Sequence, residues 1–121
     1  MIYDKYYALK SLKPSKQFVW RGTEYSGLEW LESDTPPTEA EIDAEVTRLN
    51  NAEPMRLLRV KRDAKLAACD WTQSRDITLS NDVAWKTYRQ ALRDLPASAN
   101  PTVDSDGNLN ASSVTWPTKP S

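Results

Sequence analysis

Two short runs decide the fold of this 121-residue chain: Asp-Trp-Thr-Gln at residues 70–73 and Tyr-Arg-Gln-Ala-Leu-Arg-Asp-Leu-Pro at residues 88–96. The second run belongs to an apolar stripe with spacings of 3, 4 and 3, formed by Trp85, Tyr88, Leu92 and Leu95. Apolar residues at this spacing occupy one face of an α-helix. The stripe therefore predicts a helix over about 81–94, capped by Ser80 and ended by Pro96.

The run at residues 70–73 predicts a structured loop between that helix and a preceding one. We expect Trp71 to pack back on the end of the preceding helix. The Asp70 carboxylate can accept hydrogen bonds from loop amides or from Arg89 or Arg93, and such a bond would fix the loop geometry. With the apolar stripe packed against the preceding helix, the product is a helical hairpin, and a purely structural role is the leading interpretation of these residues.

The segment before this hairpin is also predicted to be helical. Thr38 and Glu41 have the spacing of a capping box, and apolar residues then recur on one helical face at Ile42, Val46 and Leu49. Pro54 disfavours helical backbone at the residue before it. We therefore expect a break or kink there, with helices over about 38–50 and 54–68. Continued past the break, the same register is too polar for a long coiled coil.

Residues 1–37 hold most of the aromatic side chains. The run at 17–21 is rich in β-forming residues, and a second such run at 28–31 follows a Ser-Gly turn, so a β-hairpin is predicted. The segment from Tyr6 to Leu9 is a candidate for an added edge strand. Two or three short strands are marginally stable alone and need a surface to pack on.

The predicted fold class is therefore α+β and mostly helical by residue count. A small N-terminal β-hairpin or three-stranded element occupies 1–37, and a helical region follows over 38–95. The remaining residues, 96–121, are rich in Ser, Asn, Thr and Pro. We expect them to form an extended arm that lies on a surface through Trp116.

The composition limits the size of the core. Leu, Ile, Val and Phe together number 22, about 18% of the chain, which is below the roughly 20% at which a chain struggles to build its own core. Five Trp and five Tyr recover part of the missing apolar area, because each buried aromatic ring removes a large surface from water. We expect a thin core, or one that a partner completes.

The same composition excludes several kinds of chemistry. The chain has no His and a single Cys, which excludes Ser-His-Asp catalysis, His-ligated zinc and an internal disulfide. We assign no catalytic residue, no metal site and no cofactor, and we expect Cys69 to be a small, partly buried residue at a helix end. The apolar runs are too short for a membrane span or a signal peptide, so we expect no membrane association.

The charge changes sign along the chain although the net charge is only −1. From Glu29 to Glu45 there are seven acidic residues and no basic one, whereas residues 54–68 carry five basic residues and one acidic residue. A basic helix can contact phosphates. Because the whole chain is slightly acidic and the basic run is not interleaved with aromatic residues, nucleic-acid binding is not the favoured interpretation. A solvated face, or one that offsets the acidic helix, is favoured.

The stretch around the two opening runs resembles the phage tail assembly chaperone-like family, whose members are encoded among tail and tail-fibre genes. The resemblance covers about residues 54–117, ends on Trp116-Pro117, and departs from the family pattern at Ser74-Arg75, where that pattern has Leu-Pro. The front part is similar to small tail-fibre-associated proteins of cyanophages. The residues assigned to the structural motif are Arg62, Asp70, Trp71, Asp76, Trp85, Tyr88, Arg89, Leu92 and Arg93.

The resemblance implies a non-enzymatic role in assembling a phage tail or tail fibre in the host cytoplasm, with a tail-fibre or baseplate protein as partner. One alternative is a structural adaptor that stays in the virion tail. Another is a host-directed regulator that acts through the basic helix. The formation of a homo-oligomer is left open.

The aromatic residues of the first segment and of the arm are the candidates for the partner contact. A chain with few aliphatic and many aromatic residues suits a part whose exposed apolar face is covered by a partner. A small aromatic core of the hairpin is an equal alternative for the residues in the first segment. The predicted partner-binding residues are Tyr6, Tyr7, Phe18, Trp20, Tyr25, Trp30 and Trp116.

Overall fold

The structure, a computed structural model, describes residues 2–121 and divides into two compact units. The first unit extends to Glu53 and the second comprises Pro54–Ser121. In chain order the elements are α1 (Lys5–Leu12), β1 (Phe18–Trp20), β2 (Leu28–Trp30), α2 (Glu39–Ala68) and α3 (Asp82–Ser98). Single turns of 3₁₀-helix occur at Tyr25–Gly27, Asp70–Gln73 and Ala111–Ser113. The predicted class, a mostly helical α+β fold with a small N-terminal hairpin, is confirmed.

The first unit is built on an antiparallel β-hairpin. Val19 of β1 lies opposite Glu29 of β2, with the flanking pairs Phe18–Trp30 and Trp20–Leu28. The connecting loop depends on Gly27, because a Cβ placed there would lie 1.8 Å from the carbonyl oxygen of Arg21. The hairpin covers a small cluster formed by Ala8, Leu9 and Ile42, which we call the N-terminal core.

The predicted edge strand at Tyr6 to Leu9 is wrong, and the sheet has two strands. These residues lie inside α1. Asp4 is the N-cap of this helix, and its Oδ1 accepts a hydrogen bond of 3.1 Å from the amide of Tyr7. Ala8 and Leu9 are fully buried, so packing overrides the β preference of the neighbouring tyrosines.

Of the predicted break or kink at Pro54, the break is wrong, since α2 runs without interruption from Glu39 to Ala68. A proline inside a helix removes one backbone hydrogen bond and crowds the preceding turn. Asn50, a weak helix former, is held in place by its side chain. Its Oδ1 accepts from the amide of Tyr3 at 2.8 Å, and its Nδ2 donates to the carbonyl oxygen of Tyr3 at 3.1 Å. The predicted capping box at the start of the helix is present, with the Glu41 amide donating to the Thr38 hydroxyl at 3.2 Å.

The second unit is organised around α3. This helix starts after the N-cap Asn81 rather than Ser80, and it continues through Pro96 to Ser98. Its inner face joins the end of α2 in a cluster formed by Cys69, Trp85, Tyr88 and Leu92, which we call the C-terminal core. The segment after α3 has little regular structure, and Trp116 packs against this core.

Among the helices that the structure describes over residues 2–121, none combines the length and the apolar character needed to cross a bilayer.

Candidate partner-binding surface

The aromatic residues of the first unit form a connected layer around the N-terminal core. The ring of Tyr6 lies 5.5 Å from that of Phe18, which in turn is stacked on Trp30 at 6.3 Å. Trp20 makes an edge contact with Tyr25 at 6.4 Å. Ring pairs at these separations add about 0.5–1.5 kcal/mol each beyond their buried area. The layer therefore contributes directly to the stability of the hairpin.

Three of these aromatic residues also use their polar atoms within the chain. The indole nitrogens of Trp20 and Trp30 donate to the carbonyl oxygens of Glu24 and Asp34, at 2.9 and 2.8 Å. The Tyr25 hydroxyl donates to the carbonyl oxygen of Pro37 at 2.8 Å. These bonds fix the loops that follow each strand, and they leave mainly the apolar ring surfaces for any outside contact.

The structure separates the seven predicted partner-binding residues by exposure. Tyr6 and Tyr7 expose 43% and 44% of their surface. The other four in the first unit are half-buried and pack on the N-terminal core. Trp116 is half-buried in the second unit, where the ammonium of Lys65 lies 5.0 Å from its ring centroid.

Two exposed apolar residues near the same aromatic layer were not predicted. Val19 projects from the outer face of β1, and Leu31 directly follows β2 with half of its surface exposed. The alternation of side chains along a strand was the available signal for Val19. The exposure of Leu31 depends on where β2 ends and could not be inferred from the pattern.

Two grooves open on either side of Tyr6, each bounded by one residue of β1. The larger, of about 390 Å³, lies at Trp20 and is also lined by Asp4, Lys5 and Asp43. The smaller, of about 300 Å³, lies at Phe18 and is lined by Lys10, Lys16, Gln17 and Leu31. The first unit thus presents an aromatic trough with acidic groups at one end and basic groups at the other.

A hydrogen-bonded carboxylate ties α1 to α2 in the first unit. Glu45 is buried, and its Oε2 accepts from the Ser11 hydroxyl at 2.6 Å and from Nη2 of Arg48 at 2.9 Å. The hydrogen bonds from Arg48 and Ser11 lower the pKa of Glu45 to about 2. This carboxylate therefore stabilises the folded state while it is ionised.

The low pKa of Glu45 predicts that acid reduces the stability of the fold. Because the folded pKa lies below the ordinary value of 4.5, its contribution is complete above about pH 5 and is lost as the pH falls toward 2. Between pH 7 and pH 3 we expect the wild type to lose about 1–2 kcal/mol more free energy of unfolding than Glu45→Gln. Urea unfolding at both pH values measures this difference.

Glu29→Gln is the matched control, since Glu29 is an exposed carboxylate with an Arg21 partner. Between pH 7 and pH 3, Glu29→Gln should lose as much free energy of unfolding as the wild type. If Glu45→Gln loses as much stability on acidification as the wild type, the low pKa does not contribute to folding.

The structure brings six of the nine motif residues of the second unit together. Trp85, Tyr88, Arg89 and Leu92 are buried, and Asp70 and Trp71 lie beside them on the turn after α2. The other three, Arg62, Asp76 and Arg93, are not part of this cluster; Arg62 pairs with its neighbour Asp63 at 2.8 Å. Over the described residues 2–121, no group of three or more acidic or thiol side chains is placed to hold a metal ion.

Arg89 connects α3 to the end of α2. Its Nη1 donates to the carbonyl oxygen of Leu66 at 3.0 Å and to Sγ of Cys69 at 3.1 Å, and its Nη2 donates to Oδ1 of Asp70 at 2.8 Å. Of the two arginines predicted as partners of Asp70, the structure selects Arg89. Thr72 closes the turn, with its hydroxyl donating to the carbonyl oxygen of Cys69 at 2.7 Å. Cys69 is buried at the helix end, as expected.

Comparison with known proteins adds a family assignment for this second unit. The family model described as phage tail assembly chaperone protein matches residues 55–121, slightly more than half of the chain. The matched segment contains Arg89 and its partners on the turn after α2. No curated protein and no solved structure matches the chain.

Proposed function

The chain belongs to the phage tail assembly chaperone protein family, and from this premise we propose that it binds a tail-fibre or baseplate protein while the tail is assembled in the host cytoplasm. The family points to an assembly role without catalysis. In this proposal the aromatic trough of the first unit is the partner contact. The cluster around Arg89 makes the second unit a rigid support.

The distribution of exposed apolar side chains is the observation that carries this assignment. Of the ten large hydrophobic residues that are exposed among those described, six lie within residues 2–31. They are Ile2, Tyr6, Tyr7, Leu12, Val19 and Leu31. Two of the six, Tyr6 and Leu31, line the smaller groove, and exposed apolar groups concentrated in one part of a chain are typical of a protein interface.

The motif residues of the second unit support a structural role for that unit. The guanidinium of Arg89 already binds three groups within the unit, and Trp85, Tyr88 and Leu92 are buried. Side chains that are buried or hydrogen-bonded within the unit are not available to bind a partner protein. The contact is therefore assigned to the first unit.

Binding to candidate tail proteins tests the proposal. The chain is co-expressed with the fibre and baseplate proteins of the same phage, and the affinity of any purified complex is measured by calorimetry. Tyr6→Ala combined with Leu31→Ala removes two apolar walls of the smaller groove. We expect the double variant to bind at least about tenfold more weakly, a loss typical of interface anchors. Val83→Ala, at an exposed position of the second unit, is the control and should bind normally.

Failure to bind any fibre or baseplate protein would exclude the proposal. Circular dichroism of each variant separates a lost contact from a lost fold. Sedimentation of the free chain measures any self-association.

Mass spectrometry of purified virions distinguishes a departing chaperone from a retained adaptor. Absence from virions, with fibre misassembly in a deletion strain, supports the chaperone. A fixed copy number in the virion supports the adaptor and excludes a departing chaperone.

A further inference from the structure

The backbone of β1 has an open edge. The amide of Arg21 donates to the carbonyl oxygen of Gly27 at 2.9 Å, and the amide of Leu31 donates to that of Gln17 at 3.2 Å. In an antiparallel pair the residues alternate between those that bond the partner strand and those that point away from it. Since residues 17 and 21 bond toward β2, the N–H and C=O groups of Phe18 and Trp20 point away from it.

The two residues of this open edge, Phe18 and Trp20, also line the trough. Phe18 bounds the smaller groove and Trp20 bounds the larger one, with the half-exposed ring of Tyr6 between them. Side chains two residues apart on a strand lie on one face, about 6.6–7 Å apart. A strand added to β1 would therefore place two alternate side chains at the spacing of Phe18 and Trp20, the β1 residues that line the two grooves.

The charged side chains at the two ends of the trough differ in sign. At the Trp20 groove, Lys5 is paired with Glu39 at 3.1 Å and lies 3.8 Å from Asp43, so the acidic groups there are in excess. At the Phe18 groove, Lys10 and Lys16 provide two ammonium groups, of which Lys16 lies 3.5 Å from Asp34. The Trp20 groove suits a basic side chain, which can also stack on its aromatic walls, and the Phe18 groove suits an acidic one.

We infer that β1 accepts a third strand from the partner tail protein. The added strand pairs antiparallel to β1, the commoner arrangement, and it carries a basic residue two positions before an acidic residue. The basic residue enters the groove at Trp20 and the acidic residue enters the groove at Phe18. This inference rests on the proposed function, because the strand belongs to the partner.

A second copy of this chain is a poorer occupant of the same edge. The side chains of its own Phe18 and Trp20 are packed on its own N-terminal core, so they are not available to fill the grooves of a neighbour. The strand residues of β1 also include no basic and acidic pair at the required spacing.

The test uses a synthetic peptide, Thr-Thr-Arg-Val-Glu-Thr-Thr, and the full chain labelled with ¹⁵N. On strand addition we expect the amides of Phe18 and Trp20 to exchange with solvent about tenfold more slowly, since both gain a hydrogen bond. The amide of Val19 is the internal control, because it already points toward β2. Equal slowing at all three residues, or no slowing with peptide in excess, would overturn the inference.

Charge swapping tests the direction. A peptide with Arg and Glu exchanged should bind the wild type about tenfold more weakly. The Lys10→Glu variant should bind the first peptide more weakly than the wild type does. It should bind the exchanged peptide more tightly. Lys61→Glu is the matched control, since it makes the same charge change at an exposed position of α2, and it should leave both affinities unchanged. An equal preference for the two peptides would overturn the assigned direction.

The purified tail partner separates the two proposals. If it binds and the Phe18 and Trp20 amides stay unprotected, strand addition is wrong and the proposed function stands. If no tail protein binds, the proposed function itself fails. Slowed exchange that depends on chain concentration without peptide would identify a second copy as the occupant and overturn the inference.

Discussion

Replacing Trp85 with alanine is expected to lower the free energy of unfolding by about 3–5 kcal/mol. The Trp85 side chain is only 6% exposed and belongs to the C-terminal core. It makes edge contacts with the rings of Tyr88, at 5.9 Å, and Trp71, at 6.0 Å. Its removal costs both the burial of the indole and the cavity that it leaves. Urea unfolding, followed by circular dichroism, measures the change.

Trp71→Ala is the matched control for this prediction. Trp71 is 53% exposed and makes an edge contact with Trp85 of the same core, so we expect a loss of no more than about 1.5 kcal/mol. Equal losses for the two substitutions would show that Trp71 is as important to the core as Trp85. A loss below 1 kcal/mol for Trp85→Ala would show that the core collapses around the missing ring.

The two tryptophans also show what periodicity can and cannot predict. Trp85 lies in a helical stripe, and its burial follows from the spacing alone. Trp71 lies in a turn, where no period relates one residue to the next. Its expected packing on the end of α2 rested on residue type, and the structure places half of its surface in solvent. The large loss of about 3–5 kcal/mol is therefore expected for the buried Trp85 and not for Trp71.

The errors in the N-terminal half have a similar cause. The tyrosines before Leu9 favour strand by residue type, but Asp4 caps a helix there and Leu9 is buried against Ile42. Pro54 predicts a break or kink, and the break is absent, since one lost hydrogen bond is outweighed by the rest of a 30-residue helix. Local preference identified the β-hairpin and the capping box correctly, because both depend on neighbouring residues.

The candidate surface could be predicted only in part. Its aromatic composition is visible in the sequence, and so is the change of charge sign between segments. The trough itself is lined by Tyr6 of α1 together with Phe18 and Trp20 of β1, and the predicted third strand would have put Tyr6 in the sheet. The error at Tyr6 to Leu9 therefore concealed the open edge on which the inferred strand addition depends.

Arg89→Met is expected to lower the free energy of unfolding by about 2–4 kcal/mol. Arg89 is buried, with 8% of its surface exposed, and it supplies the hydrogen bonds to the Leu66 carbonyl oxygen and to Sγ of Cys69. Removing a buried charged donor leaves its acceptors unsatisfied, at a cost of about 1–3 kcal/mol each. The Nε atom of Arg89 is buried without a hydrogen-bond partner among the described residues. Removing this buried nitrogen removes its desolvation cost, which keeps the net loss of unfolding free energy moderate.

Asp70→Asn separates the hydrogen bonds to Leu66 and Cys69 from the ion pair. The Asp70 side chain is 65% exposed, and exposed pairs contribute no more than about 1 kcal/mol. We expect Asp70→Asn to be nearly neutral. A loss as large as that of Arg89→Met would mean that the ion pair, rather than the bond to the end of α2, holds the two helices together.

The thiol of Cys69 provides an independent measurement of the same contact. Cys69 is buried and is the only cysteine in the chain, so its reaction with a thiol reagent reports local opening at the end of α2. In Arg89→Met the guanidinium no longer covers the sulfur, and we expect the reaction to become about tenfold faster or more, whereas Asp70→Asn should react at the wild-type rate. Unchanged reactivity in Arg89→Met, with reduced stability, would show that the arginine supports the fold elsewhere and does not close this turn.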